Sequence, residues 1–361
     1  MNGKTYETIK FTVQSISVVL SVIINALLIY LILTKSPKKM GTYRHLMIYF
    51  CCFSIFFSTM DILVQPNIHT YKSAFIMVMD YKNRGFNERI AEFLTCKFRC
   101  MSNEQESLGA MCGCFGVTIY GIAVHFIYRY FALERQGRLR YFREKLLPLW
   151  LLIPVSGGIS WFMVSFTVFS MDSIKADYIR ETIKEFFDLE IDSAVFVSAV
   201  MYPLDANGVP YIYWKSVIGF VLFMSIMLIP FIVVLVVGWK SRKKIRELIN
   251  SGESLYTRNL QMQLYKALVA QTVIPLLLLF IPFGIIFVLP VFEINCQFMT
   301  APITFGYAIY PAVDPLPIFY FVDNYRNAVS DTICPYICKK NRIGVSDDYV
   351  QEGTSRNQHT V

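Results

Sequence analysis

Hydrophobic residues in this chain come in long blocks separated by short polar stretches. Seven blocks are long enough to cross a bilayer as helices, for which about 20 apolar residues suffice. They run from Phe11 to Thr34, His45 to Gln65, Asn103 to Phe131, Leu146 to Ser170, Tyr213 to Trp239, Leu264 to Pro290 and Met299 to Val322. The pattern predicts an all-α membrane protein, a seven-transmembrane helix bundle over residues 11–322. A short segment, residues 1–10, precedes it and a tail, residues 323–361, follows. After Lys340 the tail is rich in Ser, Asp, Gln and Asn, a composition that stays disordered. The first block is too long for a signal-peptide core and is followed directly by Lys35, Lys38 and Lys39, as in an uncleaved anchor. Two further apolar runs, Ala74 to Met79 and Ala194 to Pro203, are too short to span.

Charge orients the bundle. Seventeen Lys and Arg lie in the loops after spans one, three and five, against nine in the three opposite loops. The positive-inside rule places the amino terminus outside and the carboxyl terminus in the cytoplasm. Hydrophobic residues make up 55% of the chain and charged ones 17%, against roughly 25% charged in soluble domains. The net charge of +8 sits at the ends of apolar runs, which fits orientation and contact with anionic lipid rather than nucleic acid. The loop between spans four and five is acidic instead. Within it Ile179, Ile183, Phe186 and Phe187 fall at helical spacing. That segment is either a solvated loop or a short amphipathic helix forming a lid.

Polar residues inside a membrane are costly, so each is a candidate site. Asn25 of span one and Asp314 of span seven fall at similar depth, near the middle of their spans. If those spans are neighbours, Asn25 can donate to the Asp314 carboxyl, as a structural pair, a switch or a ligand contact. Asp61 falls near the outer end of span two. Span three carries Gly109, Ala110, Gly113, Gly116 and Gly121, the small residues of a tightly packed central helix. Near its cytoplasmic end His125 and Arg129 share a face. Arg129 either snorkels to lipid headgroups or acts as a charged latch. Pro275 and Pro282 in span six, Pro230 in span five, and Pro302, Pro311, Pro315 and Pro317 in span seven each remove a backbone hydrogen bond. Three of them surround Asp314 and are expected to disrupt the inner half of span seven.

Cys51, Cys52, Cys112 and Cys114 lie within spans, as small hydrophobes. Cys96, Cys100 and Cys296 face the oxidising side and can form one disulfide. Cys334 and Cys338, beside Lys339 and Lys340, suit palmitoylation or remain free thiols. The four histidines sit at different depths, so no metal cluster is expected, and no phosphate loop, nucleophile elbow or cofactor motif is present.

Several segments together resemble the nematode serpentine chemoreceptors of the Str class. They are Asn25 to Tyr30 with Lys35 to Gly41, Gln65 to His69, His125 to Leu133, Lys266 to Pro275 and Tyr310 to Pro317. The likeness runs from Ser15 to Arg326 and keeps the order and spacing of its motifs. It implies a G-protein-coupled chemosensory receptor in the plasma membrane of a sensory-neuron cilium, responding to a small odorant or water-borne ligand and activating a heterotrimeric G protein. Tyr128, Arg129 and Tyr130 stand where common receptor families carry an Asp-Arg-Tyr latch, but no acid precedes Arg129. His125 or a residue of span six must take its place. Coupling would use Tyr128, Arg129, Tyr130, Lys240, Arg242, Lys243, Lys244 and Lys266, with lipid contact competing for the span-five cluster. A pocket is expected between the outer halves of spans three, five, six and seven, near Gln105, Glu106, Tyr211, Tyr213 and Phe292. Ligand is expected to swing span six about Pro275 or Pro282. The alternative is a ligand-gated channel or transporter of seven helices.

Overall fold

In the computed structural model the structure describes residues 3–37, 40–80, 104–134, 138–143, 145–191, 194–249, 255–294 and 297–337. Six helical stretches among them are long and apolar enough to cross a membrane. Helices α1 (Gly3–Lys35), α2 (Tyr43–Val64), α3 (Glu104–Glu134) and α4 (Leu147–Thr167) are the first four spans. An amphipathic helix α5 (Ser173–Phe187) precedes α6 (Trp214–Ile249), which is span five. Span six comprises α7 (Leu255–Pro275), a π-helical turn over Leu276–Phe280 and α8 (Ile281–Val288). The seventh stretch is two shorter helices, α9 (Thr300–Val313) and α10 (Leu316–Phe321), and α11 (Asp323–Ile337) follows. Helix α1 starts at Gly3, so most of the segment expected to precede the first span is itself helical.

The first helix is apolar on its outer face and carries a polar stripe on its inner face. On α1, Val19, Ile23, Leu27, Tyr30 and Leu33 are exposed while Lys10, Gln14, Ser17, Ser21 and Asn25 are buried. A helix in water does the reverse; this arrangement suits lipid on the outer face.

Close packing of spans three and four depends on paired glycines. A Cβ on Gly116 would lie 2.6 Å from the Gly157 oxygen, and one on Gly113 would lie 3.0 Å from the Gly158 oxygen. The two backbones therefore touch, as small residues at membrane interfaces allow.

Proline breaks are repaired by side chains from neighbouring spans. Pro315 has no N–H, so the Pro311 carbonyl loses its helical donor. Asn25 Nδ2 donates to that oxygen at 3.1 Å and Ser21 Oγ at 3.4 Å. The Ile318 amide turns to the Pro315 oxygen at 3.1 Å. That leaves the Asp314 carbonyl to Gln271 Nε2, 3.1 Å away on span six. Pro230 likewise frees the Ile226 carbonyl, which accepts from the Tyr120 hydroxyl at 3.0 Å. Asn25 is thus bonded to the Pro311 carbonyl rather than to the Asp314 carboxyl: a peptide oxygen left without a partner in an apolar interior is a strong demand.

The all-α expectation fails at one end of the bundle, where a three-stranded antiparallel sheet lies in the order β1 (Asn67–Tyr71), β2 (Ala74–Asp80), β3 (Ala194–Val200). Two of its strands are the apolar runs too short to span. Their side chains alternate between two buried faces. Phe75, Met77, Met79, Val197 and Ala199 point into the bundle, while Ala74, Ile76, Val78, Phe196 and Val200 meet Ile179 and Ile183 of α5. Because both faces are covered, the strands read as continuous apolar runs. Helix α5 therefore lies on the sheet, not directly on the bundle mouth. Asp172 caps it, accepting from the Lys175 amide at 2.9 Å.

Candidate ligand chamber and signalling face

Beneath the sheet, aromatic rings from four spans converge. Tyr307 sits 4.6 Å from Phe115 and 5.2 Å from Phe57, between ring centroids. Phe283 is 5.2 Å from Phe115 and 5.3 Å from Phe75 of β2. Trp161 and Phe223 extend the cluster toward spans four and five at 4.1 Å. Two polar atoms in this apolar setting, Trp161 Nε1 and the Tyr307 hydroxyl, are buried without a hydrogen-bond partner among the described residues. An unmet buried donor costs about 1–3 kcal/mol, so a ligand able to pair with either recovers that cost. The cluster is built from residues that the sequence alone did not single out, because aromatics are frequent throughout the chain.

The residues expected to line a pocket do not converge there. Tyr211 and Phe292 are exposed. Glu106 is half-buried near the start of α3, and Gln105 lies in the first turn of that helix. Tyr213 belongs to the roof, its hydroxyl donating to Asp172 Oδ2 at 3.1 Å. Lys215 approaches the same oxygen at 3.5 Å, and the buried Lys175 ammonium at 3.3 Å. Burial pushes Lys175 down to about 8 although Asp172 opposes the shift. Burial pushes Asp172 up, but the Lys175 amide and ammonium outweigh it and hold its carboxyl below the usual range.

His69 ties the sheet to the roof helix. Its Nε2 is 3.1 Å from the Thr182 hydroxyl, and its ring lies 4.8 Å from Phe186 and 5.5 Å from Phe187. Burial lowers its pKa from 6.5 to about 4. With α5 undocked, the exposed His69 binds more protons than the docked one between these values, so docking is strongest above pH 6.5 and weakens as pH falls toward 4. Protection factors of α5 amides, exchange rates divided into the intrinsic rate at each pH, are expected to fall at pH 5 relative to pH 7, equivalent to about 2 kcal/mol of lost docking. His69→Gln should flatten that dependence; an unchanged pH response would clear His69 of the role.

A polar stripe runs down α1. Lys10, Gln14, Ser17, Ser21 and Asn25 recur at spacings of three and four, and all are buried. Ser21 accepts from Ser58 Oγ of α2 at 3.1 Å. This spacing within an apolar block was legible in the sequence, though only Asn25 stood out as a candidate.

At the opposite end Arg129 is only 2% exposed, so the lipid-snorkelling alternative does not hold. Its Nη2 donates to Gln261 of α7 twice, at 2.5 Å to the side-chain oxygen and 3.2 Å to the carbonyl. The guanidinium also lies 5.2 Å from the centroid of the Tyr43 ring. His125 Nδ1 is 3.4 Å from the Tyr43 hydroxyl, so His125 orients the ring that Arg129 covers. Tyr43 stacks on Tyr128 at 5.1 Å, and Tyr130 donates to Glu134 at 3.0 Å. Span six is tied down again where the Asp323 amide donates to Gln263 Oε1 at 3.2 Å while Gln263 Nε2 donates to the Asp323 carboxyl. Lys240, Arg242, Lys243 and Lys266, on the neighbouring turns of spans five and six, are exposed. Lys244 reaches Glu247 at 2.8 Å. Cys96, Cys100, Cys296 and Cys338 lie outside the described residues, and Cys334 is near the end of α11.

A multi-helix bundle with an apolar outer surface, a roofed aromatic cluster at one end and a buried arginine at the other suits a multi-pass membrane protein. The chain matches the family of serpentine-type seven-transmembrane G-protein-coupled chemoreceptors, Str, over residues 10–330. It belongs to that family, which is one of receptors and not of enzymes. Among curated relatives, Serpentine receptor class r-10 of Caenorhabditis briggsae is 29% identical over 351 residues, covering 96% of both chains. The Caenorhabditis elegans protein of the same name is 28% identical over 350 residues, again with 96% of both covered. G-protein coupled receptor str-217 of Caenorhabditis elegans is 26% identical over 326 residues, 90% of each.

Proposed function

We propose that this receptor detects a small environmental molecule in a sensory neuron and passes the signal to a heterotrimeric G protein. The sheet end faces the exterior and the basic end the cytoplasm, in the plasma membrane of the cilium. Ligand occupies the aromatic chamber under the sheet, bounded by spans two, three, six and seven. Occupancy favours a state in which the cytoplasmic end of span six has moved away from span three, hinging at Pro275, the π-helical turn and Pro282. The G protein then docks on Arg129, Tyr128 and Tyr130 with Lys240, Arg242, Lys243, Lys244 and Lys266. Cys334 and Cys338 anchor the tail to lipid by palmitoylation.

The observation that carries this reading is the Arg129–Gln261 contact. A buried guanidinium would normally require a carboxylate. Here it is held by a neutral amide, a carbonyl and a ring, worth about 1.5–3 kcal/mol for charged hydrogen bonds. An equilibrium of that size is one a ligand of modest differential affinity can shift. Two measurements test the proposal together. An amino-terminal epitope should stain on intact cells, and a panel of volatile and water-borne compounds should drive a calcium or cyclic-nucleotide signal that requires a G protein. Staining only after permeabilisation, or ligand-driven current without a G protein, would favour the channel reading instead.

A further inference from the structure

The aromatic chamber has one polar pole, where it meets the α1 stripe. Asp61 lies one turn along α2 from Phe57, on the same face. Phe57 packs edge-on against Tyr307, 5.2 Å between ring centroids. Gln14 approaches from α1, its Nε2 3.5 Å from the Asp61 main-chain oxygen. The Gln14 Oε1 and the Tyr307 hydroxyl, in side chains that are 1% and 2% exposed, have no hydrogen-bond partner among the described residues. One turn further along α1, Lys10 is engaged by Asn67 Oδ1 at 2.6 Å and Glu7 at 2.6 Å.

All three groups can accept a hydrogen bond. Gln14 Oε1 can only accept, whereas the Asp61 carboxyl and the Tyr307 hydroxyl can do either. A ligand carbonyl or ether would engage Tyr307 and leave Gln14 Oε1 unmet. A ligand hydroxyl or amine would answer both. We propose that Asp61, Gln14 and Tyr307 form the polar end of the ligand site and select small amphiphiles that carry a hydrogen-bond donor on an apolar body. This assignment rests on the reading of the chamber as the ligand site. It adds the chemistry by which that site chooses.

The test uses the full chain in cells, with 1-hexanol, 1-hexylamine, hexanal and hexyl methyl ether as probes. A site built to pair a donor rejects the analogue that lacks one. The alcohol or the amine is therefore expected to act at concentrations about a hundredfold lower than the ether and the aldehyde. Tyr307→Phe should weaken all four probes alike, whereas Gln14→Leu and Asp61→Asn, each confirmed at the cell surface, should narrow that gap. Asp61→Asn should reduce the response to the amine more than to the alcohol. Equal potency of ether and alcohol, an undiminished gap in both Gln14→Leu and Asp61→Asn, or no response to any probe would overturn the assignment. The receptor reading is checked separately in the same cells by Gln261→Ala. Raised ligand-independent output with no probe response would sink the polar pole alone, whereas no change in output from Gln261→Ala would count against the latch as well.

Discussion

Replacing Gln261 by Glu is expected to lower ligand-independent signalling about tenfold, and Gln261→Ala to raise it by a similar factor. The argument starts from Arg129, a cation sealed between spans three and six with only neutral acceptors around its Nη2. A carboxylate at position 261 would answer its charge directly and deepen the closed state by about 1.4 kcal/mol, a factor of ten in the equilibrium. Alanine would remove the side-chain acceptor and leave the carbonyl contact alone. Arg129→Ala should behave differently from both, abolishing output while surface delivery is preserved, because in the proposed open state the same guanidinium docks the G protein. Measuring basal second messenger at matched surface density separates the three. If the Glu and Ala variants at 261 moved in the same direction, the latch would be wrong.

The second large effect concerns folding. Gly116→Val should remove most receptor from the cell surface. Its Cβ would stand 2.6 Å from the Gly157 oxygen and 2.8 Å from Trp161 Cδ1, and a peptide group cannot yield as a flexible side chain can. Overpacking costs typically 1–3 kcal/mol in a core, and this contact falls at the upper end because backbone meets backbone. Gly284→Ala is the matched control, since nothing lies within 4 Å of its Cβ position. Surface staining of the two variants decides the point; comparable loss in both would mean that helix packing between spans three and four is not the cause.

Much of the bundle was legible in the sequence because bilayer thickness imposes a length that few other structures share. The disruption around Asp314 was legible too, since proline at 315 and 317 removes donors wherever it stands. The sheet was not. A seven-residue apolar run gives no alternation when both faces are covered, as Phe75 and Ile76 are on β2, so its period cannot be separated from that of a buried helix. The latch was half legible: Arg129 stands out, whereas a neutral glutamine such as Gln261 carries no signal until its partner is seen. The chamber was least legible, because thirty phenylalanines and twenty-two tyrosines leave composition unable to say which of them meet. Only folding picks out Phe57, Phe115 and Tyr307.

The repair of the break in span seven makes three distant positions a single inherited unit. With proline at 315, serine at 21 and asparagine at 25 have work to do. With an ordinary residue there, the peptide oxygen at 311 would be claimed within its own helix and both polar groups would become a burden in lipid. Change at any one of the three alters what the other two are for, so drift at these sites in descendants of this gene is expected to be concerted.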